Sequence, residues 1–195
     1  MNDFFLALGQ SIHVDLFGME ALEIRQITVE ELEDWLIVAQ PIKEFLKDKD
    51  YSDAVLEQLF LEHGPYVIAM CALVTYLNQD ELIKLGKDQP EFIRLMRHVL
   101  TVNQAYFKEK EPKRRGLKDS VKESTWFDSF HALIRHGHTH SEILKLSYGA
   151  FLAYLKAANK AYCRELASQL SRARMAHHGD AKTIKKQMDD LKAAD

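Results

Sequence analysis

Four histidines crowd one short stretch: His131, His136, His138 and His140. Imidazole ligates transition metals, and an H-x-H-x-H spacing converges three rings when it lies on a strand, where alternate side chains share a face. Here the spacing straddles a helix end and a turn, so the rings point apart by default. A closed site also needs another ligand, and Asp128 is the nearest carboxylate upstream. The cluster therefore reads as turn and capping histidines, with no metal or other cofactor expected. His177 and His178, just before Gly179, read as a helix C-terminus. Nucleophilic chemistry lacks a constellation. Cys71 and Cys163 each sit apart from any histidine in sequence, no G-x-S-x-G occurs, and no glycine-rich phosphate loop follows a strand. Glu30-Glu31 and Asp189-Asp190 are carboxylate pairs at helix ends. Lys113-Arg114-Arg115 resembles a nucleic-acid patch, but it lies in a solvated, charged segment of an acidic chain. The expectation is a protein that is neither an enzyme nor a nucleic-acid binder.

The elements that position the histidines are legible. Trp126, Phe130, Leu133 and Ile134 fall at i, i+4, i+7 and i+8, one face of a helix. Gly137 follows, where a left-handed C-cap is needed. Thr139 and Glu142 have the spacing of a capping box ahead of Ile143 and Leu144. Cap, turn and cap in close succession predict a rigid corner, followed by a long helix through Leu155, Tyr162, Leu166 and Leu170 to Met175.

The chain has 195 residues, 47% hydrophobic and 28% charged, with only 8 Gly and 4 Pro. That composition supports a sizeable core and favours long helices. Two lone cysteines fit a reducing compartment without a disulfide framework. No leader is evident in MNDFFLALG, and the most apolar segment, 66–77, is shorter than the roughly 20 residues a membrane span needs. A cytoplasmic protein without a membrane partner is expected. Charge is unevenly placed. Residues 1–107 carry 8 basic and 18 acidic side chains, 108–140 carry 8 and 5, and 141–195 carry 10 and 6.

One hairpin is predicted near the N-terminus. Ile12, Val14 and Leu16 alternate before a turn at residues 17–20, and alternation resumes through Leu22 and Ile24 to Ile27. Thr28 and Glu31 have capping-box spacing, so the first helix is expected to start at Thr28 and to bury Leu32, Trp35, Leu36 and Ala39. Pro41 should kink or restart it. A second helix should open at Ser52-Asp53 and stop at Gly64-Pro65, and 66–77 should form a core helix. A short helix over 78–86 and another from Pro90 through Phe107 complete the front. The stretch 108–123 reads as a charged linker. A last helix carries Ile184, Met188 and Leu191. The fold class is mainly α: a helical bundle over 1–107 with one N-terminal β-hairpin, the linker, and a C-terminal helical module over 124–195.

This order of elements resembles the tail assembly chaperones of long-tailed bacteriophages. The likeness rests first on the hairpin leading into ITVEELEDWLIVAQPI (27–42), similar to the family's I-T-x-x-x-L-like start of an acidic helix with a Trp or Leu. It rests next on 126–148, similar to the family's W-x-x-L-I-x-x-G-H-S-x-x-x-I-L-x-Y pattern. Trp126, Gly137, His138, Ile143, Leu144 and Tyr148 stand for its fixed places, with Thr139 where the family has Ser. The third part is the tail over 173–191. Residues 50–107 match nothing in the family.

The resemblance implies a non-enzymatic chaperone acting in the host cytoplasm and absent from the mature virion. It would bind the tape-measure protein through 1–107 and recruit the tail-tube protein through 124–195, with self-association left open. Trp35, Trp126, His138 and Tyr148 are the partner-binding candidates. The rival expectations are a permanent structural or adaptor protein of the tail, a metal-dependent enzyme built on the histidines, and a helical nucleic-acid binder.

Overall fold

The computed structural model describes residues 3–107 and 125–178. The charged stretch 108–123, with Lys113-Arg114-Arg115, and the stripe of Ile184, Met188 and Leu191 lie outside them. The fold is mainly α, with one two-stranded antiparallel hairpin. Described residues up to Tyr154 form one compact unit, and those from Leu155 form a second.

After α1 (Asp3–Ala7) comes the hairpin of β1 (Ile12–Leu16) and β2 (Met19–Ile24). Phe17 and Gly18 make its two-residue turn, both at positive φ, the geometry that matches the twist of the flanking strands. A bulge between Val14 and Leu16 puts Ala21 at positive φ, and the Ala21 N–H donates to Asp15 Oδ1. The hairpin is held on its own helices: the Phe17 N–H donates to Glu91, whose carboxyl lies below its ordinary value because of that bond and its pairing with Arg94.

The first long helix, α2 (Leu32–Phe45), starts four residues later than the Thr28–Glu31 spacing predicts. Thr28 is bridged to Ser147 instead, which commits it to extended backbone. Half of the capping box survives, since Glu31 accepts from both the Thr28 N–H and its hydroxyl. The helix runs on through Pro41. Its Leu36 and Ile37 are exposed, so the inward face is Leu32, Trp35, Ala39 and Ile42. α3 (Asp53–Val74) is bent at His63, whose φ/ψ of −127°/23° leaves the helical region just before Gly64-Pro65. The predicted stop is a kink between two helical halves, because Pro65 removes an N–H without ending the segment. Leu56, Leu59, Val67, Met70, Cys71 and Val74 make α3 a core helix.

α4 (Gln79–Leu85) begins with a complete Asn78–Glu81 capping box. α5 (Gln89–Val102) has Pro90 in its first turn and packs through Phe92, Ile93, Leu95, Met96, Val99 and Leu100. It ends at Asn103 rather than running on, and α6 (Gln104–Phe107) follows as a separate turn. Among the described residues, no single helix is long and apolar enough to cross a membrane.

Candidate partner-binding surface

Two segments far apart in sequence meet at Ile27. The Tyr148 N–H donates to the Ile27 carbonyl (2.8 Å), the Val29 N–H to Leu146 (2.9 Å) and the Glu30 N–H to Leu144 (3.0 Å). Buried polar side chains complete the junction. Asn103 Oδ1 accepts from the Ile27 N–H at 2.8 Å, and its amide donates to the carbonyls of Arg25 and Val99. The Gln26 amide donates to the carbonyls of Phe5 and Gln10, which ties in the N-terminal helix. Arg25 reaches both Glu31 oxygens and the Leu73 carbonyl. Burial pushes the Glu31 carboxyl up, but the bonds from Arg25 and Thr28 together outweigh it and leave the group below its ordinary value. Gln26 and Asn103 are buried, so deleting either side chain would leave the backbone groups it serves as desolvated orphans.

On this base stands the corner. α7 (Trp126–Ile134) opens with a full Thr125–Asp128 capping box. It closes with the N–H groups of Gly137 and His138 donating to Ile134 and Leu133. Gly137 has φ +93°, the left-handed cap the sequence demands. α8 (His140–Lys145) starts from the Thr139–Glu142 box, and the Thr139 N–H and hydroxyl hold the Glu142 carboxyl below its ordinary value. α9 (Tyr148–His178) then begins directly at the Ile27 junction.

The predicted inward face of α7 is only partly inward. Leu133 is buried, but Trp126 is 47% exposed and Ile134 is also open to solvent. Phe127, 85% exposed, lies off the face that periodicity marks. Phe127, Phe130 and Ile134 recur at i, i+3 and i+7, so a second flank of the helix carries apolar side chains outward. The surface is anchored by rings. Trp126 stacks on buried Phe151 at 5.6 Å, Phe151 lies 6.5 Å from Tyr148, Tyr148 6.1 Å from Tyr106, and Tyr106 5.9 Å from Trp35. A row of aromatic contacts thus runs from the core to solvent.

Three of the four partner-binding candidates, Trp126, Tyr148 and Trp35, lie in this row at different depths, and His138 lies against Tyr154. Trp126 and His138 reach the surface. Tyr148 is buried at the Ile27 junction. Trp35 is fully buried against Tyr106 and Phe107, so neither it nor Tyr148 can meet a partner without opening the core. Among the described residues the Trp35 indole N–H meets no acceptor, which marks packing rather than polar recognition as the role of that ring. Three of the four clustered histidines engage neighbours on the corner. His136 Nδ1 contacts the Ala132 carbonyl at 2.8 Å, His140 lies against Phe130, and His138 against Tyr154. Among the described residues, no three His, Cys, Asp or Glu side chains gather as metal ligands would. A small cavity of about 10 Å³, room for roughly one water, lies at the junction between Ile27, Asn103, Tyr106 and Tyr148. Arg25, Gln26 and Asn103 escaped the sequence reading, because nothing local marks a polar side chain that serves a distant backbone. No protein-family model, curated protein or solved structure matches this chain.

Proposed function

We propose that this chain is a non-enzymatic assembly chaperone of long-tailed phages that binds the tape-measure protein and recruits tail-tube subunits around it. The observation that carries the reading is the meeting of two of the three stretches that bear the resemblance. Residues 27–30 and 144–148 are joined by three backbone hydrogen bonds, two of which make the Thr28–Ser147 bridge. A likeness built from separate helix and turn patterns gains weight when its parts form one piece. The aromatic surface adds to it. Trp126 and Phe127 stand on a helix capped at both ends, and such a pre-ordered apolar face suits an amphipathic helix of a partner. A long, helical, aggregation-prone tape measure offers such helices. The chaperone acts in the host cytoplasm and leaves before the particle is complete.

An affinity pull-down of the tagged chain from cells producing the phage or prophage, read by mass spectrometry beside purified particles, tests this. Capture of tape-measure and tube proteins, with the chain missing from particles, supports the proposal. The chain's presence in particles makes it a structural component, and capture of neither partner overturns the resemblance.

A further inference from the structure

We propose that the part of α9 from Leu155 onward docks an acidic amphipathic helix of a protein partner on the seam formed by Leu155, Tyr162, Leu166 and Leu170. These side chains recur at spacings of 7, 4 and 4, which puts them on one face of a helix. Tyr162 is 48%, Leu166 40% and Leu170 71% exposed. Residues 155–175 are helical throughout, about 30 Å of continuous seam at 1.5 Å per residue.

Charge selects the occupant. Over 155–175 the chain carries Lys156, Lys160, Arg164, Arg172 and Arg174 against a single acid, Glu165. At 100° per residue, Lys156 and Arg174 border the seam on the side of Leu170 and Cys163, with Lys160 and Arg164 next around the helix. An antiparallel second copy would set the Lys156 and Arg174 margin against itself, and a parallel one would set it against a margin where Glu165 is the single acid beside Arg172. A partner helix with leucines in its seam and glutamates facing Lys156 and Arg174 would neutralise that basic margin. The seam is one residue wide and is interrupted on its flanks by Asn159 and Gln169. That is narrower than the broad apolar face with which interfacial helices enter lipid. Nucleic-acid phosphates would use the cations but leave the leucines idle. The inference stands on α9 alone and does not depend on the tail-assembly reading.

The test uses the full chain and a fluorescent helical peptide with leucines at the same 7-4-4 spacing and glutamates beside them, titrated by anisotropy. The expected result is saturable binding that weakens severalfold between roughly 0.05 and 0.3 M salt. Leu166→Glu with Leu170→Glu should weaken it at least about tenfold. Arg172→Glu with Arg174→Glu should shift preference toward a lysine-flanked version of the peptide, an arm that stands even if the leucine variant loses its helix by circular dichroism. The proposal is overturned if neither peptide binds, or if the two bind wild type equally. It is also overturned if the leucine seam instead drives self-association, or binds anionic vesicles or duplex DNA in preference to the peptide.

Discussion

The backbone N–H of Tyr148 donates to the carbonyl of Ile27 at 2.8 Å, while the Ile27 N–H donates to the side chain of Asn103 at 2.8 Å. One residue after the hairpin is thus held from two remote parts of the chain. The corner, with exposed Trp126 and half-buried His138, is built on this junction.

Asn103 is buried and serves three backbone groups, so Asn103→Leu strands the Ile27 N–H and the Arg25 carbonyl. Orphaning buried groups of this kind costs about 1–3 kcal/mol. Urea unfolding should show a lowered midpoint at unchanged slope. The exposed Asn159→Ala should stay within about 0.5 kcal/mol of wild type. Equal effects from the two would mean that the Asn103 bonds contribute nothing.

Local chemistry made much of this fold legible. The hairpin, the Gly137 corner and the Thr139–Glu142 box are all dictated by neighbours in sequence, and all are where the sequence puts them. The errors are non-local. Thr28 has the spacing of a helix cap, but pairing with Ser147 takes its backbone first. Asn103 sits in an apolar run that reads as unbroken helix until its amide is seen bonding Ile27 and Arg25. Trp126 fits the inward face of α7 by period, yet that helix lies at the edge of the unit, where periodicity alone does not say how deep a face is sunk.

Gly137 sits at φ +93°, and no atom of the described residues lies within 4 Å of the position a Cβ would take. The penalty for Gly137→Ala is therefore conformational rather than steric, about 1 kcal/mol. Thermal melting should register it as a drop of a few degrees, with Gly137→Asn losing less because Asn tolerates the left-handed region. No change with alanine would mean that the corner can reseat without this cap.

Acid should weaken the junction through Glu31. Its folded pKa lies below the ordinary carboxylate value of 4.5, so its stabilising contribution is present above that value and is lost as pH falls through the folded pKa. Glu31→Gln should be less stable than wild type at about pH 6–7, and the gap should narrow as the pH drops below roughly 4.5. A gap independent of pH would show that the Arg25–Glu31 contact acts by packing alone.

The two thiols should differ in reactivity. Burial pushes the Cys71 pKa up to about 12, while Cys163 lies exposed on α9. A thiol reagent near pH 8 should label Cys163 alone in the native chain, and both residues in denaturant, as read by mass spectrometry after digestion. Rapid native labelling of Cys71 would contradict the packing of α3.

The most direct test of the proposed role is co-expression with the tape-measure protein of the same phage or prophage. The account predicts that the tape measure is recovered soluble and in complex with this chain. It predicts aggregation without the chain, and much reduced recovery with Trp126→Ala and Phe127→Ala together in a chain that still folds. A tape measure whose solubility is indifferent to this chain would contradict it.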